Sequence, residues 1–350
     1  MRDIGIVSFA QAPNVRSAPK VAVEILMPVI TEAVESSGIP RKEMGFWCSG
    51  SCDYMAGQPF SFVQAVDAIG AWPPVPESHV EMDGAWALYE AWVKLQLGEI
   101  DSALVFGYGK SSSGVLRRIM TLQLDPFNVA PLWPDSISIA GLQARALLER
   151  TSHTERDMAA VVARSRQAAL DNPAAQLAGT VTVEDLLAEP MFADPLRKHD
   201  CPPISDGASA VVLAAGDLAR SVCSRPAWIR GIDHRIEAHG LGVRDLTQSP
   251  SARLAAANAG VANDKVDVAE LHAPFSHQEL MLTSEMGLGA EVTVNPSGGA
   301  LCANPMMAAV LTRFGEAARR IWEGGADRAV AHATSGPCLQ QNIVCVLEGE

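Results

Sequence analysis

Apolar positions along the chain fall into two regimes, short continuous runs and longer stretches at helical spacing. Residues 4–9 form a short run and predict a buried strand. Residues 20–37 carry the helical spacing and stop at the turn signal Ser37-Gly38-Ile39-Pro40. The pair recurs as strand 44–49 with helix 60–69, then as strand 79–82 with helix 85–97 after Asp83-Gly84. Residues 101–107 are apolar on both faces and predict a central strand. Strands separated by helices imply a parallel sheet. From about 108 to 196 the pattern becomes a proline- and serine-bearing excursion with helical stretches at 139–149 and 155–170, predicted to cover the sheet rather than extend it. Strand 208–214 follows Ser205-Asp206-Gly207.

The second half repeats the plan: strand 228–236, helix 251–259, strand 266–271, helix 278–286, a glycine turn, helix 306–323, and strands 328–333 and 342–347. Two copies of one α/β plan are expected, 1–223 and 224–350, with the boundary at the Ser224-Arg225-Pro226 interruption.

Length and composition fit this picture. The chain has 350 residues, 48% hydrophobic and 19% charged, enough for two cores of about 150 residues each. A net charge of −13 with no Lys/Arg run argues against nucleic acid as a partner. The start of the chain reads directly into a strand without a secretory pattern, and no apolar run reaches the roughly 18 residues of a membrane span. Seven scattered cysteines fit reduced thiols, and the expected location is the cytoplasm.

Candidate chemistry concentrates in residues 294–305, where Gly298-Gly299 precede Cys302, Asn304 and Pro305 and a helical pattern follows. Paired glycines let backbone approach a ligand, and a helix N-terminus offers N–H groups to an anion. Cys48 and Cys52 have a CxxxC spacing, but no second ligand pair completes a zinc site, so no metal is expected. His153 and His199 stand isolated, and residues 107–111 lack P-loop spacing and read as strand followed by loop.

Four ordered stretches carry a family resemblance: Asp200-Cys201-Pro202-Pro203-Ile204-Ser205-Asp206-Gly207, Ala269-Glu270-Leu271-His272-Ala273-Pro274-Phe275, Asn295-Pro296-Ser297-Gly298-Gly299, and residues 331–348. Together they resemble the thiolase superfamily, in its sterol carrier protein-type, lipid-transfer branch. The resemblance covers essentially the whole chain. It implies an α/β fold of two similar βαβαβ-type halves in an α-β-α-β-α layering, commonly dimeric, and chemistry at a C–C bond beside a coenzyme A thioester. Acyl-CoA would then be substrate, with no bound cofactor.

Residue by residue, the resemblance departs from a thiolase. Aligning the family's Cys-x-Ser-Gly with Gly84 puts Glu81 at the nucleophilic cysteine and Asp83 at the serine. His272 is retained, Ala273 replaces the aspartate that follows it in this branch, Asn304 stands nearest the Gly-His-Pro histidine, and Cys338 falls several residues after the usual C-terminal cysteine. In aldolase relatives tyrosines occur near His272 and Thr334, which this chain lacks.

The expected enzyme splits a β-hydroxyacyl-CoA by a retro-aldol or modified thiolytic step in lipid or sterol side-chain breakdown. His272 accepts the proton, and Asn304 with the Gly298-Gly299 N–H groups stabilises an enolate oxyanion. Cys302 or Cys338 assists or packs, while Glu81, Asp83 and Thr334 contact substrate. For His272 a core hydrogen bond is the alternative role. Lys110, Arg117 and Arg118 are candidates for coenzyme A phosphates, with solvated cations as the alternative. Two other functions stay open: a catalytically degenerate acyl-CoA-binding or lipid-transfer subunit, and an acetyl-CoA acetyltransferase with a relocated cysteine. The expected assembly is a homodimer, or a heteromer with a thiolase-like paralogue or a small zinc-ribbon/OB-fold protein.

Overall fold

The computed structural model describes residues 2–350. The first half runs β1 (Ile4–Gln11), α1 (Ala22–Ser36), β2 (Trp47–Gly50), α2 (Asp53–Ala56), α3 (Val63–Ile69), β3 (Glu77–Val80), α4 (Gly84–Leu97) and β4 (Ser102–Lys110). The excursion follows with α5 (Leu116–Thr121), α6 (Ser136–Arg150), α7 (Glu155–Ala168), α8 (Val183–Ala188) and a separate hairpin of β5 (Met191–Ala193) and β6 (Leu196–Arg197), which the sequence pattern did not announce. The chain returns as β7 (Asp206–Ala215) and α9 (Gly216–Val222). The second half is β8 (Ala227–Ile236), α10 (Pro250–Ala259), β9 (Val268–Leu271), α11 (Ser276–Glu285), β10 (Thr293–Val294), α12 (Ala309–Trp322), β11 (Arg328–Ser335) and β12 (Gln341–Glu348).

Both halves build one strand order. The first gives β3-β2-β4-β7-β1 and the second β10-β9-β11-β12-β8, joined by the pairs Gly5↔Trp228 and Ile6↔Ala227. The sheet is mixed rather than parallel. β2 runs parallel to β3 and β4, but β7 is antiparallel to β4 and β1, and β12 to β11 and β8. The physical reason lies in the returns. The excursion brings Asp206 back beside Lys110, the last residue of β4, so β7 must run backwards along it. Ser335 and Gln341 likewise face each other across a short turn.

Five layers result. α4 and α12 form the middle layer, packed with Ile4, Phe46 and Val105 from one half and Ala331, Ile343 and Cys345 from the other. Their sequences show why. α4 buries Ala85, Trp86, Ala87, Leu88, Ala91 and Leu95 over most of its circumference, as an enclosed helix must. α1 buries a single stripe, including Leu26, Val29, Ile30 and Ala33, and covers the outer face of the first half. α10 and α11 cover the second. No helix among the described residues is long and apolar enough to cross a membrane.

The loop entering α12 crosses β4, and the start of α4 crosses the end of β2, at van der Waals limits. A Cβ on Gly107 would sit 2.1 Å from the Met307 carbonyl oxygen, and one on Gly50 would sit 2.4 Å from the Gly84 nitrogen. Gly107→Ala is therefore expected to cost about 3 kcal/mol, read as a lower urea midpoint, because backbone cannot yield as a side-chain tip can.

Candidate active site

His272 follows β9, and its N–H donates to the His332 carbonyl on β11 at 3.2 Å. The end of β9 is braced from beneath. Asn295 Oδ1 accepts from Leu271 N–H at 2.7 Å, and Asn295 Nδ2 donates to Glu279 Oε2 at 2.6 Å. Glu270, fully buried, accepts from Ser297 N–H at 2.9 Å, from Ser297 Oγ at 2.7 Å and from Arg313 Nη1 at 2.7 Å. A buried carboxylate needs such complete pairing, and the pairing locks strand, glycine turn and α12 together.

His272 Nε2 lies 3.0 Å from Asn304 Oδ1, joining two of the sequence stretches across the fold. Asn304 is held in turn by its N–H donating to Ser205 Oγ at 3.0 Å, from the stretch that precedes β7. Taking the amide oxygen as the acceptor assigns the imidazole proton to Nε2 and the lone pair to Nδ1. Nδ1 is buried without a hydrogen-bond partner. The Asn304 amide nitrogen is left as the donor the site can use. Burial lowers the His272 pKa to about 4, against the pull of the Asn304 oxygen and the Thr334 carbonyl, while Arg313 adds to the lowering. The ring is therefore neutral at neutral pH, with a lone pair available but a weaker basicity than an ordinary imidazole.

Both residues line a cavity of about 430 Å³. Glu81, Asp83, Thr334 and Cys338 line it too, so most of the residues singled out in the sequence converge there. Glu81 is exposed and its Oε1 accepts from Asp53 N–H at 2.6 Å, while the Thr334 hydroxyl donates to the Gln341 carbonyl at 3.1 Å. The apolar wall includes Leu116, Met120, Leu124 and Ile139 from the excursion, together with Phe275 and Met307. The excursion residues were not singled out in the sequence. Their one signal was apolar side chains interrupting the proline- and serine-bearing excursion.

Three expected contributors lie elsewhere. Gly298 and Gly299 do not line the cavity, and their N–H groups are already bonded, to the Asn295 carbonyl at 2.9 Å and to Ser297 Oγ at 3.3 Å. They turn the chain that braces β9 instead of holding an oxyanion. Cys302 is fully buried with its Sγ 3.3 Å from the Ser165 carbonyl, and it packs. Arg117 is paired with Asp135, and Lys110 donates to the Ala18 carbonyl at 2.7 Å, so neither is a free phosphate ligand. Arg118 lies over the Trp133 ring, 5.9 Å from its centroid.

No thiol is activated. Burial pushes Cys48, Cys52, Cys201 and Cys338 up to about 12 and Cys302 up to about 11, and raises Cys223 and Cys345 as well. A thiol becomes a nucleophile as its thiolate, so all seven are nearly inert at neutral pH. Cys48 faces the middle-layer core and Cys52 the cavity, which separates the CxxxC pair.

No family model matches the chain. The acetyl-CoA acetyltransferase of Methanothermobacter thermautotrophicus is 30% identical over 210 residues, 53% of this chain and 54% of that protein, so the match spans about half its length. Sterol carrier protein 2 of Gallus gallus is 22% identical over 383 residues, covering 94% of this chain and 68% of that protein. Among solved structures, an Ltp2-ChsH2(DUF35) aldolase superposes with a TM-score of 0.82 at 17% identity, covering 99% of this chain and 98% of that chain.

Proposed function

We propose, for a chain that shares the fold of the thiolase superfamily and the sequence resemblance of its sterol carrier protein-type branch, that the cavity cleaves a C–C bond of a β-hydroxyacyl-CoA by a retro-aldol step. The observation that carries this reading is the His272–Asn304 pair, a neutral imidazole and a free amide donor, in a cavity where no thiol is activated. Nδ1 of His272 takes the β-hydroxyl proton, the O–H electron pair becomes the new carbonyl, and the Cα–Cβ pair moves into the thioester as an enolate. The Asn304 amide donates to the enolate oxygen. Similarity to an aldolase in fold, and to an acetyltransferase and a sterol carrier protein in sequence, supports a coenzyme A thioester as substrate. The apolar wall supports a bulky lipid or steroid acyl group.

The thiolytic and acetyltransferase readings need a thiolate that burial disfavours at every cysteine. A partner chain is supported by β3, which ends the sheet, and by the exposed Phe60, Trp72 and Phe127 of the same half. The assembly is a homodimer or a heteromer with a thiolase-like or zinc-ribbon/OB-fold chain. Seven free thiols fit a reducing cytoplasm.

The test offers purified protein straight-chain and steroid β-hydroxyacyl-CoAs, and separately β-ketoacyl-CoAs with free coenzyme A, with products identified by mass spectrometry before and after iodoacetamide. Retro-aldol products, an aldehyde or ketone with a shortened acyl-CoA, should form in the untreated and the alkylated protein alike. Cleavage of β-ketoacyl-CoA only, abolished by alkylation, would show a relocated thiol. No cleavage of either would leave the degenerate binding subunit.

A further inference from the structure

One buried carboxyl in the cavity is left without a task by this scheme. Asp83 precedes the first residue of α4 and is only 6% exposed, yet it lines the cavity with His272 and Asn304. The start of α12 meets it from the second half, and backbone amides of Gly84, Ala85, Val310 and Leu311 lie near the carboxyl without closing a cap hydrogen bond on it. Two helix N-termini favour an anion there.

A structural role would take the form of a helix cap. Asp135 is the contrast: its carboxylate accepts from Ser138 N–H at 2.8 Å at the head of α6. Asp83 makes no such cap bond, and its Oδ1 is buried without a partner. An orphaned buried carboxyl is costly, so its setting calls for an explanation. The setting is built closely. Gly84 N–H donates to the Met307 carbonyl at 3.1 Å, and Met307 is held at φ 72°, left-handed for a non-glycine residue.

We propose that Asp83 is the second proton-transfer group of the site, donating to the α-carbon of the enolate. The proposal rests on the reading of the cavity as one that forms an acyl-CoA enolate. The Asp83 O–H bond breaks, a C–H bond forms at Cα, and the carboxylate left behind lies near the backbone amides at the starts of α4 and α12. The His272 imidazolium then returns its proton to Asp83 through water. No electrons are exchanged, and the cycle closes. Burial raises the Asp83 pKa to about 7, against the four backbone amides, so the acid form is available near neutrality. No ionisable side chain is among the causes of that shift. The titratable groups sharing the cavity are Cys52, Tyr54, Glu81, His239, His272 and Cys338.

By microscopic reversibility the Asp83 carboxylate also removes an α-proton, so the wild type should exchange the α-hydrogens of propionyl-CoA with D2O, read by mass spectrometry. Asp83→Asn should slow the exchange at least about 100-fold, with Asp83→Glu recovering part of it. The substrate lacks a β-hydroxyl, which separates this claim from the retro-aldol reading. Exchange that depends on Asp83 without any β-hydroxyacyl-CoA cleavage would sink that reading and leave Asp83 standing. Equal exchange in wild type and Asp83→Asn, or none in the wild type, overturns the proposal. Should the variants not fold, 13C-aspartate NMR of the wild type decides. A carboxyl titrating near 7 and shifting when propionyl-CoA is added supports the role, and none doing so overturns it.

Discussion

Replacing His272 by alanine is expected to lower kcat/KM for β-hydroxyacyl-CoA cleavage by about 10²–10⁴-fold, the usual contribution of a positioned general base. The fold should survive. The hydrogen bond from His272 to β11 is made by the backbone, and the brace of Asn295, Ser297 and Glu270 does not involve the ring. His272→Gln sharpens the comparison, because a glutamine can still donate to Asn304 but cannot accept and return a proton. Both variants should be similarly slow, with melting temperatures near the wild type. The pH profile carries the sign of the mechanism. A base works through its lone pair, and the His272 pKa is lowered to about 4, so the acid limb of kcat/KM should lie near that value, while loss of the Asp83 acid form adds a basic limb near 7. An acid limb near the ordinary imidazole range would mean that the essential base is another group. Normal turnover by His272→Ala would end the assignment.

The parts of this molecule legible in its sequence are those set by local physics. The buried strands β1 and β4 stand out because an enclosed strand must be apolar on both faces, and α4 because its apolar residues fill more than one stripe. The direction of β7 was not legible, since it depends on where a long excursion happens to return. At the site, the pairing of His272 with Asn304 followed from ordered stretches whose spacing the resemblance interpreted. Gly298 and Gly299 misled for a physical reason. Glycine's freedom marks a turn or a close approach, but it does not say whether the freed N–H groups face a ligand or bond within the turn. Here they bond to Asn295 and Ser297. Asp83 is the reverse case. Its position was visible, but its chemistry arises from burial against the start of α12, which only the assembled halves bring to it.

That burial predicts an unusual effect on stability. Replacing Asp83 by asparagine should be more favourable to stability at pH 8 than at pH 4 or below. Burial holds the folded pKa at about 7, against 3.8 for an unburied aspartate. Below 3.8 the carboxyl is protonated in both folded and unfolded chains, and it costs nothing. As pH rises from there, the unfolded chain releases the proton while the folded one keeps it, so folding is penalised progressively until the folded group also ionises near 7. Three pKa units amount to about 4 kcal/mol, fully developed above that pH. Asparagine has the same shape and no charge, so it escapes the penalty, less the cost of placing an amide where no acceptor is provided. For a chain of this length 4 kcal/mol corresponds to about 5 °C in melting temperature. Paired thermal melts at pH 4 and pH 8 measure it. A difference between variant and wild type that is the same at both values would mean that Asp83 is not held in its acid form by the fold. A difference more favourable to the variant at the higher pH, together with loss of α-hydrogen exchange, would show that the same burial destabilises the fold and keeps a proton ready for the enolate.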